Sequence, residues 1–284
     1  MFEVIFLICL GLVWIIFAVV QDSRKHEVAN WLNFSLIIFA LGFRFFWSLF
    51  SRDGNSNFFF QGLIGLGIFF VLGNLFYYGR IYAGGDAKLM IALGAVLPVY
   101  YNIKDNLKLF LVFLFLFLFA GAIYGLVSSF ILAIRGGKNF RREFAKQFLK
   151  NKKLVYIFSS AGILISAFGF YNGIFLALGI FCFIIPYLYL FAKSVDESCM
   201  IKQIDARKLT EGDWLYKNVK IGKKLIRANW DGLSGDEIRM LVRARKKVFI
   251  RQGIPYTPVF LIAFLILNYV VLFTEFSWVI SFLS

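Results

Sequence analysis

The sequence predicts an all-α, polytopic bundle of about eight membrane-spanning helices with a small cytoplasmic subdomain. Three observations predict it. Of 284 residues, 60% are hydrophobic and 20% aromatic while 17% are charged, and a water-soluble domain of this size carries more charge. The apolar residues fall into eight runs, roughly 2–21, 32–50, 58–79, 87–101, 107–134, 154–170, 173–192 and 258–283. Each is near the length that crosses a hydrocarbon core of about 30 Å, the fourth being short. Finally, the basic residues lie between the runs and are shared unequally between the two sides.

Taken in order, the first run is too long for a signal-peptide core and lacks a basic leader and a small-residue cleavage site, so a retained span is expected. Asp22 ends it. The second run contains Arg44 near Trp47, a side chain expected to snorkel to the outer interface. The third contains Asn74, expected to donate to a neighbouring helix or to an acidic site. Before the fourth lies Tyr82-Ala83-Gly84-Gly85-Asp86-Ala87-Lys88-Leu89, where a carboxylate stands between small residues and an apolar run. Burying an ionised carboxylate near lipid is costly, which makes Asp86 a candidate functional group.

Residues 135–153 hold eight Lys and Arg. Apolar residues at 140, 144, 148 and 149 predict a basic amphipathic helix on the lipid headgroups, with a substrate-docking surface as the alternative. The sixth and seventh runs are separated only by Tyr171-Asn172-Gly173. Residues 193–257 are the one polar stretch large enough for extramembrane structure. Within it Ser234-Gly235-Asp236-Glu237 matches a capping box, and Ile238, Leu241, Val242 and Val248 follow at helical spacing. Ile254-Pro255-Tyr256-Thr257-Pro258 is expected to stop that helix and open the last span. The chain thus divides into a catalytic membrane half (1–134), a basic cytoplasmic loop (135–153), a helical pair (154–192), a cytoplasmic subdomain (193–257) and a C-terminal span (258–284).

With the N-terminus outside, the odd-numbered loops are cytoplasmic and hold 27 of the 31 Lys and Arg, leaving Arg44, Arg52, Lys104 and Lys108 to the outer half. Both termini are therefore expected outside. This bias, helped by anionic headgroups of the bilayer, accounts for the net charge of +15 without nucleic acid as a partner. Three cysteines (Cys9, Cys182, Cys199) show no metal or redox spacing; Cys9 and Cys182 fall in apolar runs, as buried small residues do. The single histidine, His26, has no ligand companion and reads as solvated, so no metal or other cofactor is expected. Nothing in the sequence sets an oligomeric state.

In this topology Asp22 leaves the first span, and Asp86 enters the fourth, on the same cytoplasmic side. Two close carboxyls can hydrolyse a peptide together: mutual repulsion keeps one protonated to polarise the carbonyl while the other takes a proton from water. Gly84 and Gly85 can adopt backbone angles closed to other residues and admit a peptide backbone near Asp86. Lys88 either steadies a carboxylate or snorkels to headgroups, and with Asn30 and Asn74 it completes the supporting candidates.

Asp22-Ser23-Arg24-Lys25-His26-Glu27-Val28-Ala29-Asn30, paired with Gly84-Gly85-Asp86-Ala87-Lys88-Leu89 and a later Ala92-Leu93-Gly94, resembles the archaeal preflagellin and type IV prepilin peptidases. These are membrane aspartic proteases of the GxGD type. Gly212-Asp213-Trp214-Leu215 and Gly253-Ile254-Pro255-Tyr256 are similar to the archaeal branch. Ala83 stands where the pattern has its first glycine, and Ala29 where proline is frequent. The cysteine-rich loop of the bacterial branch is absent, and with it the case for zinc. The resemblance implies Asp22 and Asp86 as the catalytic pair, Gly84 and Gly85 as its backbone partners, and prepilin-like or preflagellin precursors, cut at the cytoplasmic face, as substrates. Basic leaders would then meet an acidic patch, for which Glu27 and the acids of 196–237 are candidates. Two other readings use the same aspartates: a presenilin-like protease cutting within the bilayer, and a proton or cation transporter.

Overall fold

A computed structural model of the chain describes residues 2–25, 27–51, 55–222, 224–229 and 232–273. The chain forms two compact units, residues 1–124 with 255–284, and residues 125–254. His26 and the residues beyond Phe273 lie outside the described residues. The protein is a predominantly helical, multi-pass membrane protein. Among the described residues six helical stretches are long and apolar enough to cross a bilayer.

In the first unit α1 (Phe2–Lys25), α2 (Asn30–Phe50) and α3 (Asn57–Tyr78) are long apolar helices, α4 (Gly84–Leu93) is short, α5 (Ile103–Lys150) begins, and α9 (Thr257–Phe273) closes the bundle. Leu7 and Ile15 of α1, Leu36 of α2, Phe69 of α3, Leu89 of α4 and Phe264 of α9 meet in one buried core. The outer faces stay apolar (Phe39, Phe70 and Phe115 are all exposed), as lipid requires. Cys9 is exposed and Cys182 partly so, rather than buried as their apolar runs suggested; a thiol suits a lipid-facing position equally well.

The fourth apolar run departs most from expectation. Its helix has only 10 residues, about 15 Å of rise, and turns follow at residues 94–96. Gly94 marks the change. A Cβ there would lie 2.5 Å from Phe69 Cβ and 2.6 Å from the Gly65 carbonyl oxygen, so α3 and α4 cross with their backbones nearly touching, the small-residue packing that membrane helices favour. Unwound backbone in an apolar bundle needs its carbonyls satisfied, and Arg44 does this. It is fully buried rather than snorkelling outward. Its Nε donates to Ala95 O at 2.8 Å, Nη2 to Val96 O at 3.2 Å and Nη1 to Phe58 O at 3.0 Å. A further bond reaches Pro98 O, and the guanidinium lies over the Phe58 ring.

In the second unit α5 continues through the basic stretch, changing direction at Gly137 (φ 48°). Residues 135–150 are thus helical, as the spacing predicted, but belong to the same element as the preceding span. α6 (Lys152–Ala167), a 3₁₀ turn and α7 (Gly173–Cys199) form the pair. Then come β1 (Ile201–Asp205), β2 (Trp214–Leu215), β3 (Val219–Ile221), β4 (Lys224–Ile226), α8 (Gly235–Arg243) and β5 (Lys247–Arg251). The strands pair antiparallel, in the order β1-β5-β2 and as a β3-β4 hairpin.

The capping box at Ser234 and Glu237 forms as expected, and Leu241 is buried in a small core with Ile226 and Val248. Val248, however, belongs to β5 rather than to the helix. α8 ends at Arg243, and Arg245 takes a left-handed φ of 46°. The alternation Val248-Phe249-Ile250, buried-exposed-buried, is the period of a strand. The Pro255 segment therefore ends a strand, not a helix.

Candidate active site

Asp22 lies in the last turn of α1 and is 8% exposed. Asp86 is in the first turn of α4, where a helix N-terminus favours negative charge, and its carboxylate accepts from the Ala83 N–H. Because α2 and α3 form an antiparallel excursion between them, the end of α1 and the start of α4 come together. The two carboxyls are near enough for each charge to act on the other.

Asp22 is further held by an element that sequence reasoning read only as the start of a span. Thr257, the first residue of α9, is fully buried. Its Oγ1 donates to Asp22 Oδ2 at 2.9 Å and its backbone N–H to the same oxygen at 3.2 Å. The preceding Tyr256 and Tyr82 hydrogen-bond through their phenols, and both are within electrostatic range of Asp86. Their rings are 5.2 Å apart. The Tyr256 hydroxyl sits where a Cβ on Gly121 would fall, 1.9 Å away. Tyr82 adjoins the Ala83-Gly84-Gly85-Asp86 motif, so position alone flagged it. Tyr256 ended the Gly253-Ile254-Pro255-Tyr256 stretch of the resemblance, whereas Thr257 carried no signal beyond the prolines on either side of the pair.

The other expected residues divide. Lys88 donates to Asn30 Oδ1 at 2.7 Å, so these two candidates meet each other and tie α4 to the start of α2. Asn74 instead donates to Phe70 O at 2.7 Å within its own helix, the nearest acceptor to a polar side chain on an apolar helix, and reaches neither a neighbour nor the aspartates by that amide. Gly84 and Gly85 have ordinary helical angles, not the left-handed ones expected of glycine. A Cβ on Gly85 would meet Val28 N at 3.5 Å and one on Gly84 would meet Tyr77 at 3.6 Å, both normal contacts. Both positions are in ordinary packing contact, so a small side chain would fit there without a clash.

Several acids of the acidic-patch candidates are engaged within the second unit. Asp196 and Glu197 pair with Arg251, Asp205 with Arg207 and Asp236 with Arg239. Glu27 is exposed beside the Val28 loop. No group of three or more His, Cys, Asp and Glu suited to a metal occurs among the described residues.

A multi-pass helical bundle that joins two acidic side chains at the ends of two helices defines a membrane protein with a paired-carboxylate site. Residues 9–126, which hold both aspartates, match the model of the type IV leader peptidase family. A preflagellin peptidase of Methanocaldococcus jannaschii is 29% identical over 90 residues, 32% of this chain and 37% of the relative. Another, of Methanococcus maripaludis, is 32% identical over 89 residues, 31% of this chain and 37% of the relative. The chain thus aligns with little more than a third of each relative's length. No solved structure matches.

Proposed function

We propose that this chain is a membrane aspartic endopeptidase that removes the leader peptide of prepilin-like or preflagellin precursors. The family match over residues 9–126 and the two preflagellin peptidases similar to this chain support the substrate class. The observation that carries the chemistry is the approach of Asp22 and Asp86, from separate helices, to within reach of each other's charge.

One carboxylate, ionised, takes a proton from a water molecule as that water attacks the scissile carbonyl; the other, protonated, gives its proton to the carbonyl oxygen. The tetrahedral adduct collapses as a proton passes to the leaving nitrogen, and the pair returns to sharing a single proton. Exposed Glu27 is a candidate contact for a basic leader.

The cytoplasmic face is supported by the distribution of Lys and Arg, 27 of 31 in the loops on the side of Asp22 and Asp86; the same count puts both termini outside. Both aspartates stand in terminal helical turns rather than mid-span, which favours cutting at the membrane surface over a presenilin-like cut within the bilayer. A proton or cation transporter would require a continuous polar path instead.

The test is cleavage of a preflagellin precursor by membranes holding the full chain. Asp22→Asn and Asp86→Asn are each expected to lower the rate about a thousandfold or more while leaving insertion and thermal stability unchanged. Cleavage by either variant at the wild-type rate removes that aspartate from the mechanism.

A further inference from the structure

We propose that Thr257 is a positioning residue for Asp22, and that the start of α9 is therefore a working part of the active site, although it lies 131 positions beyond the end of the family-matched region at residue 126. This rests on the two-aspartate reading above and adds a third element to it.

A threonine at a helix start ordinarily accepts a hydrogen bond from its own first turn. Thr257 does the reverse. Its hydroxyl and its N–H both donate outward, to a carboxyl 235 residues earlier, and both end on one oxygen, Oδ2. The first turn of α9 has little other claim on these donors: Pro258 has no N–H, and the Val259 N–H returns to Tyr256 O. Two donors on one oxygen fix the plane of a carboxyl and leave Oδ1 as the oxygen for water and the shared proton. The hydroxyl and N–H are also donors to charge at a helix N-terminus, where the backbone dipole favours an anion.

Burial excludes an accidental surface contact, since Thr257 is 0% and Asp22 8% exposed. Tyr256 next to it pairs with Tyr82 beside Asp86, so the same short segment touches the surroundings of both aspartates. The proline on either side of Tyr256-Thr257 restricts the backbone that carries them.

The experiment measures cleavage of a preflagellin precursor by the full chain, reconstituted, with Thr257→Val and Thr257→Ser. Valine keeps the shape and the N–H but loses the hydroxyl; serine keeps both donors. Thr257→Val is expected to lower kcat about 10- to 100-fold with KM within about twofold, and Thr257→Ser to stay within about threefold of wild type. Wild-type kcat in Thr257→Val, or equal impairment of both variants with a shared loss of thermal stability, overturns the proposal. If Thr257→Val does not fold, Thr257→Ala against Thr257→Ser decides by the same criteria. Asp22→Asn is assayed alongside. If it still cleaves, the protease reading falls; if it is inactive while Thr257→Val is fully active, only the role of Thr257 falls.

Discussion

At its C-terminal end α4 gives way to turns whose carbonyls converge on Arg44; at its N-terminal end it presents Asp86 to Asp22. Both ends carry an ionisable side chain, Arg44 fully buried and Asp86 half-buried, and the surroundings differ in kind. Arg44 donates to four carbonyls and stacks on a ring. Every acceptor it meets is fixed and none can titrate, so this end of the helix has one state. Asp86 has the Ala83 N–H and a like-charged neighbour. A like-charged neighbour is what the proposed sharing of one proton depends on. On the proposed reading, a buried charge that is fully hydrogen-bonded holds the fold, whereas a carboxyl set against its own sign is available for chemistry.

The sharpest way to break this contrast is Arg44→Met. Several carbonyls lose their donor at once, each at about 1–3 kcal/mol when left unpaired in the interior. A loss of at least about 3 kcal/mol in thermal unfolding of the detergent-solubilised protein is expected. Arg44→Lys should recover little of it, because an ammonium cannot span the same fork of acceptors. The aspartate-to-asparagine variants, in contrast, should unfold as wild type does. An Arg44→Met protein as stable as the parent would show that both ends are alike. A smaller effect is expected at Gly94→Ala, next to the Ala95 carbonyl that Arg44 engages. The added methyl would press on the Gly65 carbonyl and Phe69, and forcing α3 from α4 should cost about 1–3 kcal/mol in the same measurement.

These two ends were unequally legible in the sequence. The aspartates could be found because chemistry concentrates in local motifs: a carboxylate at each span end, glycines beside one of them, and an even number of crossings between. The family match over residues 9–126 bears out that resemblance. Arg44 was misplaced because a lone arginine about twelve residues into a span has a cheap generic solution, snorkelling, and nothing local announces that another helix unwinds opposite it. The fourth run was short in the sequence too, but the end of α4 at Leu93 was hidden for the complementary reason, since Ala95-Val96-Leu97 is as apolar as a helix interior. Thr257 was invisible because its partner is 235 residues distant. In the second unit the Ser234 cap is a local signal and appeared; the strands, two to five residues long, are too short for alternation to stand out. Val248 fitted both periods and was assigned to the wrong one.

The smallest expected effect has the opposite sign and tests the comparison from within α2. Asn33 shares the buried face of that helix with Leu36, Ala40 and Arg44, and is 2% exposed. Its amide nitrogen and oxygen have no hydrogen-bond partner among the described residues. Along one stripe, then, Arg44 is saturated and Asn33 is not, and the unsaturated residue stands one helical turn from Asn30, which Lys88 of α4 engages. Asn33→Leu is close in volume and removes two unpaired polar atoms, so it should raise stability by about 1 kcal/mol. If cleavage falls while stability rises, Asn33 belongs with the aspartates, as a polar group kept unpaired for function at the expense of the fold. A fall in stability would instead place it with Arg44, as a group whose hydrogen bonds hold the bundle together.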